Sequence, residues 1–289
     1  MKNLKCLALV LAIVLVAAAF AGCGSSKGGD SAGASGGSSA GDSAGASDTG
    51  SPAVSDLSGN IMIAAAASLQ NAFDEELIPL FNESYPGITV TGTYDSSGKL
   101  QTQIEEGLEA ALFFSAATKQ MDALTAGNLI DAASVVNLLE NEVVLITGTG
   151  TDTKVTSFEN ITDAASIAVG DPASVPAGQY AQEVLTSLGS WDAVNARASL
   201  GTNVTEVLNW VAEGSAEVGV VYATDAASMP DKVKVIAIAP AGSLQTPVVY
   251  PVGLHTDLGD RQEAAQALID FLKSGEALAV FEKYGFKAA

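Results

Sequence analysis

The strongest constraint on this chain is a change of hydrophobic period near Ser68. In Asn60–Phe81 (NIMIAAAASLQNAFDEELIPLF), Ile61, Met62 and Ile63 suit a buried strand, while Phe73, Leu77, Leu80 and Phe81 recur at helical spacing. Strand must give way to helix within a few residues. A serine at that switch predicts an N-cap, because its oxygen can accept from the first free helix amides. The same place favours an anion, since unpaired N–H groups and the positive end of the helix dipole point outward. The small residues Ala64–Ala67 would let a ligand approach the backbone. Alone, such a serine more often only caps its helix.

The arrangement recurs, however. Ile88–Thr93 alternates and is β-branched, and after it Tyr94-Asp95-Ser96-Ser97-Gly98-Lys99-Leu100 opens a helix through Gln103 and Ile104 that stops at Gly107. Ala111–Ala116 reads as a third strand, with a helix around Met121–Leu124 after it. Asn141–Gly148 reads as a long buried strand able to cross between two lobes. Ser166–Asp171 is another strand, and Val175-Pro176-Ala177-Gly178 then leads a helix carrying Tyr180, Val184, Leu185 and Leu188. Thr202-Asn203-Val204 starts a helix through Val207, Leu208 and Val211. Glu217–Ala223 is a strand that brings Tyr222 to its end, and Lys234–Ala239 and Val248–Leu254 are the last strands expected before helices over Ala264–Gly285. Alternating strands and helices predict an α/β fold with largely parallel sheets. About Ser58–Ala289 is enough chain for two compact lobes. Helix starts at Ser68, Ser97, Ala177 and Val204 would sit at the carboxyl ends of strands, where open α/β sheets bind ligands. Hydroxyls and amides there donate hydrogen bonds, so the expected guest is rich in acceptors.

The amino-terminal segment reads differently. Lys2 and Lys5 precede the short apolar run Leu7–Ala21, a pattern that predicts an export signal over residues 1–22. Phe20-Ala21-Gly22-Cys23 resembles a bacterial lipobox, which makes Cys23 the expected lipid-modified residue and membrane anchor. Residues 23–57 are then lipidated cysteine plus a flexible tether rich in Gly, Ser, Ala and Asp. Matches to GxSxG there, such as Gly41-Asp42-Ser43-Ala44-Gly45, lack the flanking strand and helix of a nucleophile elbow. Only Cys6 and Cys23 are cysteines and only His255 is a histidine, which leaves the folded body without a disulfide or a His/Cys zinc site. No serine–histidine–acid set is evident, and His255 reads as a surface or packing residue. The formal charge of −20 excludes a nucleic-acid partner. It also means that an anionic guest would have to be held by local neutral dipoles against a repulsive overall field.

Taken in order, several motifs resemble the molybdate-binding proteins of bacterial ABC importers. They are Ala65-Ala66-Ala67-Ser68-Leu69, Ser96-Ser97-Gly98-x-Leu100-x-x-Gln103-Ile104, Phe114-Ser115-Ala116, Gly170-Asp171-Pro172, Val175-Pro176-Ala177-Gly178-x-Tyr180-Ala181, Gly219-Val220-Val221-Tyr222 and Phe281-Glu282-Lys283-Tyr284-Gly285-Phe286. The resemblance spans residues 60–286. It implies a two-lobed periplasmic-binding-protein fold of type II, with mixed, mostly parallel sheets and a two-strand hinge. The lobes would be 58–141 with 247–289, and 142–246. It further implies molybdate, and tungstate with it, held by Ser68, Ser97, Tyr222 and the backbone amides at Ala177 and Val204. No cofactor and no metal beyond the oxyanion are expected, and no reaction is performed. The expected partners are the permease subunits of an ABC importer and the membrane through Cys23, with the protein itself a monomer. Other acceptor-rich guests (sulfate, thiosulfate, a small organic acid) and a surface serine hydrolase are the alternatives. One departure stands at Leu108–Leu112, where the family carries an acid at the position of Ala111, expected near the first lobe's cleft edge.

Overall fold

The computed structural model describes residues 57–289. The expected export signal, Cys23 and the tether up to residue 56 lie outside the described residues. Eleven strands form two sheets: β1 (Gly59–Ala66), β2 (Ile88–Asp95), β3 (Leu112–Phe114), β4 (Val136–Asn141), β5 (Val143–Gly148), β6 (Ile167–Gly170), β7 (Ser199–Gly201), β8 (Val218–Tyr222), β9 (Val233–Ile238), β10 (Val248–Leu254) and β11 (Lys287–Ala288). The first sheet has the order β11-β4-β10-β3-β1-β2 and the second β7-β6-β8-β5-β9. Each sheet with its helices makes one lobe of an α/β protein.

Sheet membership changes between Asn141 and Val143 and again between Ile238 and Val248, so the chain crosses from lobe to lobe twice. The crossings run side by side. Val248 pairs with Asn141, and the Ala239 N–H donates to the Val143 carbonyl at 2.8 Å. The single long strand expected over Asn141–Gly148 is therefore two strands in two sheets, broken at Glu142, whose N–H donates to the Asn141 side chain at 2.8 Å. A side chain that takes a backbone amide out of the ladder ends a strand.

The sheets are mixed, but not mostly parallel. β1 runs parallel to β2 and β3, and β6 parallel to β7 and β8. β10 is antiparallel to β3 and β4, β11 to β4, and β5 to β8 and β9. The strands that change lobe must enter each sheet against its βα units, and they impose the antiparallel half. Alternation of strand and helix carries no information about such returning strands.

The helical stretch after β1 is uneven. It opens with a 3-10 turn over Ala67–Leu69 and passes through a widened turn over Phe73–Leu77 before Ile78–Ser84. Pro79 has no amide for the carbonyl four residues earlier and its ring would collide with it, a recognised cause of a local widening. That stretch buries Phe73, Leu77 and Phe81 completely. Phe73, Phe114 and Phe281 meet edge to face with ring centroids 6.0–6.1 Å apart. The cluster continues through Phe286 to Tyr250, 5.3 Å from it, and from Tyr250 to Tyr222 at 5.7 Å. Edge-to-face rings add to simple area burial, and this chain of rings joins the first lobe's core to the second. Phe281→Ala is expected to destabilise the protein by about 3–5 kcal/mol, read as a lowered urea midpoint with the slope unchanged.

Candidate functional site

The carboxyl ends of β1, β2 and β3 in one lobe face the ends of β6 and β8 in the other. Between them lies a small cavity lined by Ala66, Ala67, Ser68, Asp95, Ser96, Ser97 and Ala116 on one side and Val175, Pro176, Ala177, Val204 and Tyr222 on the other. It leaves about 10 Å³ for the centre of a water-sized sphere. All five residues proposed from the sequence as ligand contacts are in this wall.

Each arrives by a different local route. Ser97 is the first residue of the helix Ser97–Glu105, and its N-cap is Ser96. The fully buried Ser97 Oγ accepts the Ala116 N–H at 3.0 Å, which leaves its own proton for the cavity. Ala177 stands in the first turn of Pro176–Ser187, whose N-cap Val175 has no side-chain oxygen to offer the free amides. Val204 opens Val204–Ala212, where the Asn203 side chain accepts only the third amide, that of Glu206, at 2.9 Å. Tyr222 ends β8, is 1% exposed, and its hydroxyl has no hydrogen-bond partner. Burial and the neighbouring phenols of Tyr250 and Tyr180 hold its ionisation well above the ordinary range, so it keeps its proton.

Ser68 departs from expectation. It lies inside the 3-10 turn, with Ala66 as the capping residue, and its oxygen caps nothing. The chain turns helical two residues too early for Ser68 to serve as the cap. Its Oγ instead lies 2.9 Å from the Tyr250 hydroxyl. Ser96 was missed as a site residue. It is 3% exposed, lines the cavity, and its Oγ has no partner. The tandem serine was the available signal, because two hydroxyls at one helix start exceed what a cap requires.

Among the described residues, the cavity wall has no lysine, arginine or histidine. Its one carboxylate, Asp95, is turned away onto local donors: Oδ1 accepts from Ser96 N–H at 2.7 Å, Lys99 Nζ at 3.2 Å and Asn203 Nδ2 at 3.3 Å. The rest of the polar wall is a set of hydroxyls and helix-start amides, each able to donate.

Residues 61–287 match the family of bacterial extracellular solute-binding proteins. The chain belongs to that family. It is 41% identical over 242 residues to YvgL of Bacillus subtilis strain 168, named provisionally as an ABC transporter substrate-binding lipoprotein, covering 84% of this chain and 92% of that one. It is 35% identical over 235 residues to the molybdate-binding protein ModA of Escherichia coli K12, covering 79% and 89%. The periplasmic molybdate-binding protein of Azotobacter vinelandii has the same fold, with a TM-score of 0.68 at 23% identity over 78% of this chain and 98% of that one. Among the described residues no helix is long and apolar enough to cross a membrane.

In this solute-binding protein the lobes touch directly around the cavity. The Gly98 N–H donates to the Ser174 carbonyl at 2.9 Å, Asn203 reaches Asp95, and Gln120 Nε2 reaches Gln179 Oε1 at 3.3 Å. Gly98 packs so closely that a Cβ would run into the Ser174 backbone. The departure at Leu108–Leu112 lies elsewhere. Ala111 is fully buried, its N–H donates to the Met62 carbonyl at 2.7 Å, and it does not line the cavity, which corrects its expected place at the cleft edge. His255 is partly exposed, its Nδ1 accepting the Asp257 N–H at 3.0 Å, away from the cavity.

Beside Tyr222 sits a buried acid. Asp225 accepts the Tyr222 N–H at 2.9 Å, and burial pushes its carboxyl up to about 7, partly opposed by that bond. The folded protein then keeps a proton that the unfolded chain releases near pH 4. Between those values the native state binds more protons, so this group's contribution to stability falls as pH rises from about 4 to 7. Asp225→Asn keeps an acceptor for the amide and removes the titration, so the difference in melting temperature, variant minus wild type, is expected to grow across that range. A second prediction concerns closure. Gly98→Ala is expected to hold the lobes apart, enlarging the radius of gyration in solution scattering and weakening ligand by at least about tenfold, or ~1.4 kcal/mol, with little change in melting temperature.

Proposed function

We propose that this protein captures molybdate, and tungstate with it, between its lobes and delivers it to the permease of an ABC importer. The observation that carries the reading is the donor-only wall: the Ser96 and Tyr222 hydroxyls are buried without partners beside Ser97, whose proton also points inward. A buried hydroxyl without a partner is unfavourable unless a guest completes it. A tetrahedral dianion without protons offers acceptors in every direction, and needs no counter-charge where helix starts converge. The proposed contacts are the hydroxyls and amides at Ser68 and Ser97, the amides at Ala177 and Val204, and the Tyr222 phenol, to which Ser96 is added. The names of the relatives in Escherichia coli and Bacillus subtilis support ligand and transport role. Lipid anchoring at Cys23 follows from the lipobox-like sequence, and a single copy suffices because each wall of the cavity comes from the same chain. Capture and release involve no covalent step.

Bridging both lobes, the anion would favour the closed form by its differential affinity for it. Calorimetric titration of the purified protein with molybdate, tungstate and sulfate is the direct test. One-to-one binding of the first two with sulfate silent is the expected result, and a preference for sulfate would reassign the ligand. Ser97→Ala and Tyr222→Phe are each expected to cost about 1.5–3 kcal/mol of binding without changing the melting temperature by more than a few degrees. Unchanged affinity in both would remove these residues from the site.

A further inference from the structure

Ser68 differs from the other wall hydroxyls, because its proton has two possible directions. Among the described residues the hydrogen-bond partner of its Oγ is the Tyr250 hydroxyl at 2.9 Å, and either oxygen of that pair can be the donor. The surrounding network decides. Tyr250 is fully buried on β10 and does not line the cavity. Its other partner is Asn141, the last residue of β4 before the first crossing between lobes, whose Nδ2 approaches the phenol oxygen at 3.3 Å. The Asn141 amide cannot be turned round without loss. Its Oδ1 accepts the Glu142 N–H at 2.8 Å, and Nδ2 also donates to Thr224 Oγ1 at 2.9 Å, in the other lobe. Both Asn141 N–H bonds are therefore donated, one of them to Tyr250.

The phenol oxygen thus already accepts a proton. If Ser68 donated to it as well, the Tyr250 proton would be left buried with no acceptor, since the neighbouring Tyr222 hydroxyl makes no hydrogen bond. An orphaned buried donor is costly. The balanced arrangement has Asn141 donating to Tyr250, Tyr250 donating to Ser68, and the Ser68 proton directed to the cavity.

We propose that Tyr250, oriented by Asn141, is a positioning residue that fixes Ser68 as a donor and so sets the protein against oxyanions that carry a proton. The inference rests on the oxyanion reading above. With Ser68 polarised in this way and Ser97 accepting from Ala116, these two wall hydroxyls present hydrogen. A guest such as hydrogen arsenate or hydrogen phosphate, which must donate one bond, meets donors at each of these oxygens. Freed from Tyr250, the Ser68 hydroxyl can turn and accept.

The test is the ratio of dissociation constants for hydrogen arsenate and molybdate at pH 7.5, measured by calorimetry on the purified protein. Tyr250→Phe keeps the ring against Phe286 and Tyr222 and removes only the hydroxyl. Its arsenate-to-molybdate ratio is expected to fall by about tenfold or more, molybdate weakening while arsenate strengthens or holds. A purely structural loss would weaken both anions together and leave the ratio alone. Asn141→Asp, whose carboxylate still accepts the Glu142 N–H and can take the Tyr250 hydrogen bond, so that Tyr250 accepts from Ser68, is expected to shift the ratio in the same direction, and serves if Tyr250→Phe does not fold. A wild-type protein that binds molybdate while the folded variant keeps the wild-type ratio would overturn this proposal alone. A wild-type protein that binds no oxyanion would overturn the functional reading and this proposal with it.

Discussion

Burying a hydroxyl without a partner costs on the order of 1–3 kcal/mol, and this molecule does so twice at one point, with Ser96 and Tyr222 on opposite walls of the same cavity. The fold makes sense around that cost. Three helices of nine to twelve residues begin there, at Ser97, Pro176 and Val204, each with free amides aimed at the same small space. Two lobes supply them because one sheet's switch point cannot surround a guest on all sides. The aromatic chain from Phe73 to Tyr222 provides the rigid support, holding the phenol of the second lobe against the core of the first.

The acidity of the chain, which looks at odds with the anionic guest proposed above, is handled locally. Asp95 is the one carboxylate in the wall, and its oxygen faces Lys99, the Ser96 amide and Asn203 rather than the cavity. It thereby ties the start of one helix to the cap of another across the cleft. Asp225, next to Tyr222, is held toward its neutral form by burial. Most of the remaining acids among the described residues are exposed, where solvent screens them.

Much of this was legible in the sequence, and the reasons are specific. Ser97, Ala177 and Val204 could be marked as helix starts because each sits where hydrophobic period changes, while Tyr222 was singled out by the resemblance to molybdate-binding proteins. Ser68 lines the cavity, but it does not cap the helix as expected. Capping is a matter of one residue's φ and ψ, and the 3-10 entry through Ala67 shifts it by two positions, from the expected Ser68 to Ala66. Tyr250 and Asn141 left no trace because their meaning is a pair of contacts spanning 182 and 109 residues. The short strands β7 and β11 have too few residues to show a period, and the antiparallel half of each sheet depends on where the chain returns. Ala111 looked like a lost acid at the cleft because motif spacing gives order along the chain, not depth within it.

The two side-by-side crossings at Glu142 and between Ile238 and Val248 also have a kinematic consequence. Two bodies joined at two neighbouring points keep essentially one easy motion, a rotation about the line through them, and a point moves in proportion to its distance from that line. Asn141, Tyr250 and Thr224 lie against the axis through their hydrogen bonds, and Ser68 is bonded to Tyr250. The contacts between Gly98 and Ser174 and between Gln120 and Gln179 have no such tie to it. Small rotations therefore open the outer rim by the largest distance while the inner corner around Ser68 keeps its geometry. An arriving ligand meets a floor already assembled and a roof that has yet to descend.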